Sequence, residues 1–122
     1  MSKLAGKRIL VVEDEPLINM MLEEILLDEG AVVVGPAASL ASAMTLAQSE
    51  VLDGALLDVN LGDGKSFPVA QLLQQRRVPF VFATAYGQGM DEMLATAPIL
   101  AKPFDLRSLM DALEQLVGRE PR

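Results

Sequence analysis

Short apolar, β-branched runs alternate along this chain with longer segments of helical periodicity, and few folds accept that alternation. Arg8-Ile9-Leu10-Val11-Val12, Ala31-Val32-Val33-Val34-Gly35, Gly54-Ala55-Leu56-Leu57-Asp58, Pro79-Phe80-Val81-Phe82-Ala83 and Pro98-Ile99-Leu100-Ala101 read as strands, the second ended by Gly35-Pro36. Strands that are apolar at nearly every position are buried on both faces. When helices join them, the arrangement is a parallel sheet covered on both sides, so the expected fold class is α/β.

The helices carry their own punctuation. Residues 16–29 start at Pro16, which fits a first helical position, and stop at Gly30. Ser39 can cap a helix over 40–49, where Leu40, Ala43, Met44 and Ala47 share a face. Gly62, Asp63 and Gly64 form a loop, and a helix follows to about Arg77. Gly87 and Gly89 loosen the start of 86–96, which leaves room for two helical turns. Leu106, Leu109, Met110, Leu113, Leu116 and Val117 line a last helix between the cap Asp105 and the stop Gly118. With 122 residues the chain makes one domain, 1–122, with its core over about 6–118.

Composition excludes several functions. There is no cysteine for disulfides or thiolate metal sites, and no histidine to serve as general base or phosphohistidine donor. The net charge is −7 and the basic residues are scattered, with Lys7-Arg8 and Arg76-Arg77 the only adjacent pairs, so no nucleic-acid partner is expected. The apolar run Ile9 to Val12 is too short for a signal peptide, and no segment reaches the length of a membrane span. A cytoplasmic protein with no membrane contact is the expectation.

Polar residues stand where the strands stop. The first strand runs into Glu13-Asp14, the third ends on Asp58, the fourth on Thr84, and the fifth on Ala101-Lys102-Pro103. In a parallel sheet these meet at the carboxyl edge, where α/β folds carry their sites. Taken singly, each residue has a plainer role: the acids as helix-terminus or turn residues, Thr84 as a cap, Lys102 as a solvated cation. Their coincidence at successive strand ends is what points to chemistry. Clustered carboxylates repel unless a cation joins them, and Mg²⁺ is satisfied by one or two carboxylates with waters and phosphate. Asp14 and Asp58 supply those ligands. A carboxylate is also a nucleophile able to form an aspartyl phosphate, whose oxygens Lys102 and Thr84 would neutralise and hydrogen-bond.

Val11-Val12-Glu13-Asp14-Glu15-Pro16, Leu56-Leu57-Asp58-Val59-Asn60-Leu61, Ala83-Thr84-Ala85 and Lys102-Pro103-Phe104 resemble the receiver domain of bacterial two-component response regulators. The resemblance covers nearly the whole chain. Asp58 lies 44 residues after Asp14, Thr84 26 after Asp58, and Lys102 18 after Thr84. It implies a flavodoxin-like, doubly wound, five-stranded parallel sheet of order 2-1-3-4-5. It also implies phosphorelay signal transduction: Asp58 accepts a phosphoryl group from the phosphohistidine of a sensor histidine kinase or histidine phosphotransfer protein. Mg²⁺, or Mn²⁺, would be held by Asp14 and Asp58, by Glu13 through water, and by the Asn60 backbone carbonyl. Lys102 would pair with the phosphoryl group, Thr84 would swing toward it, the small Ala85 would leave the site open, and the Lys102–Pro103 peptide would be cis.

Three departures set this chain apart. The stretch between Thr84 and Lys102 is about one helical turn shorter than usual, so the fourth helix, over 86–96, is expected to be shortened or irregular. Ile99 stands three residues before Lys102, where the family places an aromatic switch residue. Phe82-Ala83-Thr84-Ala85-Tyr86-Gly87 resembles, imperfectly, the Phe-Ala-Thr…Tyr signature of one receiver subgroup. Tyr86 either takes over the aromatic role or covers the rim of the pocket. Phosphorylation is expected to draw Thr84 inward and order 86–96.

The leading expectation is a phosphoacceptor switch, with at most slow autophosphorylation and autodephosphorylation rather than enzymatic turnover. No output domain follows the last helix, so its output would lie in a downstream protein, with the switch a monomer or weak homodimer. A small Mg²⁺-dependent phosphohydrolase is the first alternative, but Asn60 stands where its second acid is needed. A receiver-like scaffold that no longer takes phosphate is the second.

Overall fold

Successive side chains of a strand point to opposite faces of its sheet, and here that alternation feeds two separate cores. The structure is a computed structural model and describes residues 3–84 (Thr84 by its backbone alone), 99–102 and 104–118. Strands β1 (Arg8–Val12), β2 (Val32–Ala37), β3 (Gly54–Asp58), β6 (Phe80–Thr84) and β7 (Ile99–Ala101) pair in parallel in the order β2-β1-β3-β6-β7. As β6 and β7 are the fourth and fifth strands of this sheet, the order is the expected 2-1-3-4-5. A two-stranded antiparallel hairpin, β4 (Asn60–Leu61) and β5 (Gly64–Lys65), stands apart from it.

Leu10, Val12, Ala55, Leu57, Phe80 and Phe82 face helices α2 (Leu40–Ser49) and α3 (Phe67–Gln75), where Ala43, Ala47, Val69, Ala70 and Leu73 are buried against them. Phe82 meets Phe67 and Phe80 edge to face, with ring centroids 5.8 and 5.4 Å away. The intervening residues Ile9, Val11, Leu56, Val81 and Ala83 face helices α1 (Pro16–Asp28) and α4 (Leu106–Val117). Leu22 and Leu26 of α1 and Leu109, Leu113 and Leu116 of α4 complete this second core. Among the described residues no helix is long and apolar enough to cross a membrane.

The expected helix signals act as read. Ser39 Oγ accepts from the Ser42 amide, and Asp105 Oδ1 from the Ser108 amide at 2.8 Å. Two boundaries need correction. Gly35-Pro36 does not end β2, which continues to Ala37. The register passes from Leu10↔Val34 to Val12↔Ala37, so β2 carries one extra residue in a bulge. Proline is tolerated there because β2 is an edge strand. The loop expected at Gly62–Gly64 is the turn of the β4–β5 hairpin, and the Asp63 carboxylate accepts the Leu40 amide at 3.0 and 3.1 Å, a second cap on α2. The expected irregular helix over 86–96, Ala85, Tyr86 and the Lys102–Pro103 peptide lie outside the described residues.

The bulge positions the site, because Ala37 at its far end accepts the Glu13 amide at 3.0 Å. Gly35 has φ +95°, and a Cβ there would stand 2.7 Å from the Ala37 nitrogen and 3.1 Å from the Val11 carbonyl oxygen. Gly35→Ala is expected to lower stability by about 2 kcal/mol. Urea unfolding of the two proteins checks this, and a difference within error would show that the bulge relaxes freely.

Candidate functional site

The site follows from strand register. Val12 of β1 lies beside Leu57 of β3, so the next residue, Glu13, comes beside Asp58. Asp58 lies beside Ala83 of β6, and Thr84 beside Ala101 of β7, after which the chain reaches Lys102. Glu13, Asp14, Asp58 and Lys102 are thus delivered to the carboxyl edge of one sheet by three strands. The backbone of Thr84 ends a fourth.

Lys102 is the centre of this group. Its ammonium donates to Glu13 Oε1 at 2.6 Å and stands 3.6 Å from Asp58 Oδ2 and 3.9 Å from Glu15 Oε1. Its side chain is 11% exposed, and Glu13 and Asp58 are 2% and 8% exposed. Asp14 is exposed beside them. One carboxylate oxygen from each of Glu13, Asp14 and Asp58 lies within 4.8 Å of the others. Glu13 is held on every side: its amide by Ala37, its Oε2 by the Glu15 amide at 3.2 Å, and its carbonyl by Asn19 Nδ2 at 2.8 Å.

Burial pushes the Asp58 carboxyl from 3.8 up to about 7, helped by the negative Glu13 and Asp14, while Lys102 opposes the shift. Burial also works against the Lys102 charge, but its hydrogen bond to Glu13 and the charges of Asp58, Glu13 and Glu15 outweigh this and raise its pKa. One buried ammonium does not balance three clustered carboxylates. The donor set consists of hard oxygens, the kind that suits Mg²⁺, and a divalent ion there would relieve the repulsion among the three carboxylates.

Asn60 begins the β4–β5 hairpin, where its side-chain oxygen accepts from the Lys65 ammonium across the pair. Ile99 pairs with Phe82 on β7 and is 40% exposed. The hydroxyl of Thr84 falls outside what is described. The residues that sequence reasoning missed are Asn19, Lys65, Asp63 and, as a neighbour of Lys102, Glu15. Only Asn19 had a signal, a polar residue one turn into α1 between the apolar Ile18 and Met20.

A parallel sheet of this order with an acidic cluster and a lysine at its carboxyl edge defines a receiver-type α/β domain. The profile of the response regulator receiver domain matches residues 9–114, and the chain belongs to that family. The transcriptional regulatory protein PdtaR of Mycobacterium tuberculosis is 34% identical over 93% of this chain and 58% of its own length. SdrG from Sphingomonas melonis Fr1 is 43% identical with a TM-score of 0.75, covering 96% of this chain and 99% of that one, and its BeF3-activated conformation gives 0.77. The receiver domain of a sensor histidine kinase from Pseudomonas aeruginosa, which has a magnesium ion in its active-site cleft, is 28% identical with a TM-score of 0.81 over 94% of this chain and 100% of that one. The chain spans about half the length of the curated relatives it matches.

Because the folded pKa of Asp58 is raised, the folded chain holds a proton that the unfolded chain has released between pH 3.8 and about 7. The resulting stability is fully present below that window and is lost as pH rises through it. At about 1.4 kcal/mol per unit of pKa the whole effect has a ceiling of about 4 kcal/mol. Asp58→Asn removes this titration. Without divalent ions, the stability of the variant relative to the native chain is expected to rise across that window. Parallel stability-against-pH curves for the two proteins would contradict the buried, charge-crowded environment of Asp58.

Proposed function

We propose that this chain is a phosphoacceptor switch in which Asp58 takes a phosphoryl group from the phosphohistidine of a sensor histidine kinase or histidine phosphotransfer protein. The observation that carries this reading is the convergence of Lys102 with Glu13, Asp14 and Asp58 at the ends of three parallel strands. An Asp58 carboxylate oxygen attacks the phosphorus as the phosphorus–nitrogen bond breaks, and the electron pair leaves on the imidazole nitrogen. The aspartyl phosphate persists until water attacks phosphorus and returns the carboxylate. Lys102, 3.6 Å from Asp58 Oδ2, neutralises charge on the transferring oxygens, and Thr84 supplies a hydroxyl to the same group.

Asp14 and Asp58 would hold Mg²⁺, with Glu13 through water and the Asn60 backbone carbonyl as further donors, and Mn²⁺ would suit the same oxygens. The ion, when bound, supplies positive charge to the carboxylates and the phosphoryl oxygens. The magnesium-bound P. aeruginosa relative supports this assignment. Asn60 stands two residues after Asp58, where a phosphohydrolase needs its second acid, which argues against repeated turnover. The switch acts by conformational change and by binding a downstream protein, through Ile99, Tyr86 and the segment 86–96, in a cytoplasmic phosphorelay.

The test is incubation with acetyl phosphate and Mg²⁺, followed by phosphate-affinity electrophoresis. A retarded band that needs Mg²⁺ and vanishes in Asp58→Asn is expected, and Lys102→Met should slow its formation roughly a hundredfold. A band that survives in Asp58→Asn, or no band in the native chain, would sink the assignment.

A further inference from the structure

The first turn of α1 contains a polar group that the chain itself leaves half satisfied. Asn19 Nδ2 donates to the Glu13 carbonyl oxygen at 2.8 Å, yet Asn19 Oδ1 is buried and has no hydrogen-bond partner. The amide cannot simply be turned over. A backbone carbonyl only accepts, so the NH₂ group must face it, and Oδ1 must face away. A buried carbonyl oxygen without a donor is costly and needs an explanation.

Its position supplies one. The carbonyl that Asn19 holds belongs to the peptide joining Glu13 to Asp14, and both residues contribute carboxylates to the acidic cluster with Asp58. Asn19 Nδ2 therefore fastens the stretch of backbone from which two of the three carboxylates project. Outer-shell acceptors and donors of this kind fix the orientation of metal ligands and raise affinity.

We infer that Asn19 is a positioning residue of the cation site: Nδ2 pins the Glu13–Asp14 peptide, and the unpartnered Oδ1 is the cost of keeping the NH₂ group on that carbonyl. This rests on the assignment of Glu13, Asp14 and Asp58 as the cation site. The amide holds the two acids in register before the ion arrives. Removing the side chain frees the acids of the cation site but also removes the buried orphan, so Mg²⁺ affinity falls while ion-free stability changes little.

The experiment is a Mg²⁺ titration of the ¹⁵N-labelled chain followed by NMR, for the native protein, Asn19→Ala, Asn19→Leu and Asp14→Ala, with thermal melts of the ion-free proteins alongside. Asn19→Ala and Asn19→Leu are expected to bind Mg²⁺ about tenfold more weakly while the ion-free melting midpoint stays close to native. In the native chain the Asn19 side-chain NH₂ resonances are expected to shift with the same midpoint as the backbone amides of the site. A loss of affinity below about threefold in the folded Asn19 variants overturns the inference, as do side-chain resonances that ignore Mg²⁺. The resonance measurement needs no variant and decides the matter if both substitutions unfold the chain. Native-like Mg²⁺ binding by Asp14→Ala would instead overturn the cation site itself, a separate failure with a separate readout.

Discussion

The ammonium of Lys102 is the contact on which the rest of the site depends. Three carboxylates are gathered within 4.8 Å, two of them nearly out of water, and Lys102 is the cation that reaches both buried ones. Its stronger bond is to Glu13 rather than to Asp58, at 2.6 against 3.6 Å. Lys102 thus fixes Glu13 in place and offsets only part of the burial that raises the Asp58 pKa to about 7. The fold holds Asp58 in a crowded state that additional positive charge would relieve.

That arrangement depends on backbone register more than on side-chain packing. Asp58 is the last residue of a strand buried along its whole length. Glu13 is placed beside it by the Val12↔Leu57 pairing and tied from the other side by Ala37. The bulge at Gly35-Pro36 brings Ala37 into line with Val12. A slip of one residue in either pairing would turn these side chains to the opposite faces of the sheet. The two cores, which receive alternate residues of each strand, make such a slip expensive and so protect the geometry of the site.

Much of this was legible in the residues themselves. β1, β3 and β6 show as continuous apolar runs because both their faces are buried, and α4 shows as a clean stripe between Asp105 and Gly118 because its other face meets water. Asp14, Asp58 and Lys102 could be read because each stands immediately beyond, or at the end of, a strand. The features that escaped depend on tertiary contact. Pro36 looked like a terminator, and only the edge position of β2 admits it within the strand. Asp63 looked like a turn residue, yet its carboxylate caps a helix 23 residues earlier. Asn19 is one polar residue between apolar ones in α1, and its role is recognisable only once the Glu13 carbonyl is seen beneath it.

The identity of the central cation also has a physical reason. A guanidinium would present a planar fork suited to one carboxylate at a time, whereas an ammonium is a compact charge with three rotatable donors. Lys102 lies among oxygens of Glu13, Asp58 and Glu15 at 2.6, 3.6 and 3.9 Å. Those separations are short enough for the same side chain to redistribute its donors by small torsional changes, with no repacking of the 11%-exposed stem. An arginine could reach the same oxygens only by displacing the neighbours that bury the site. The buried acids thus require a cation there, and their spacing selects lysine.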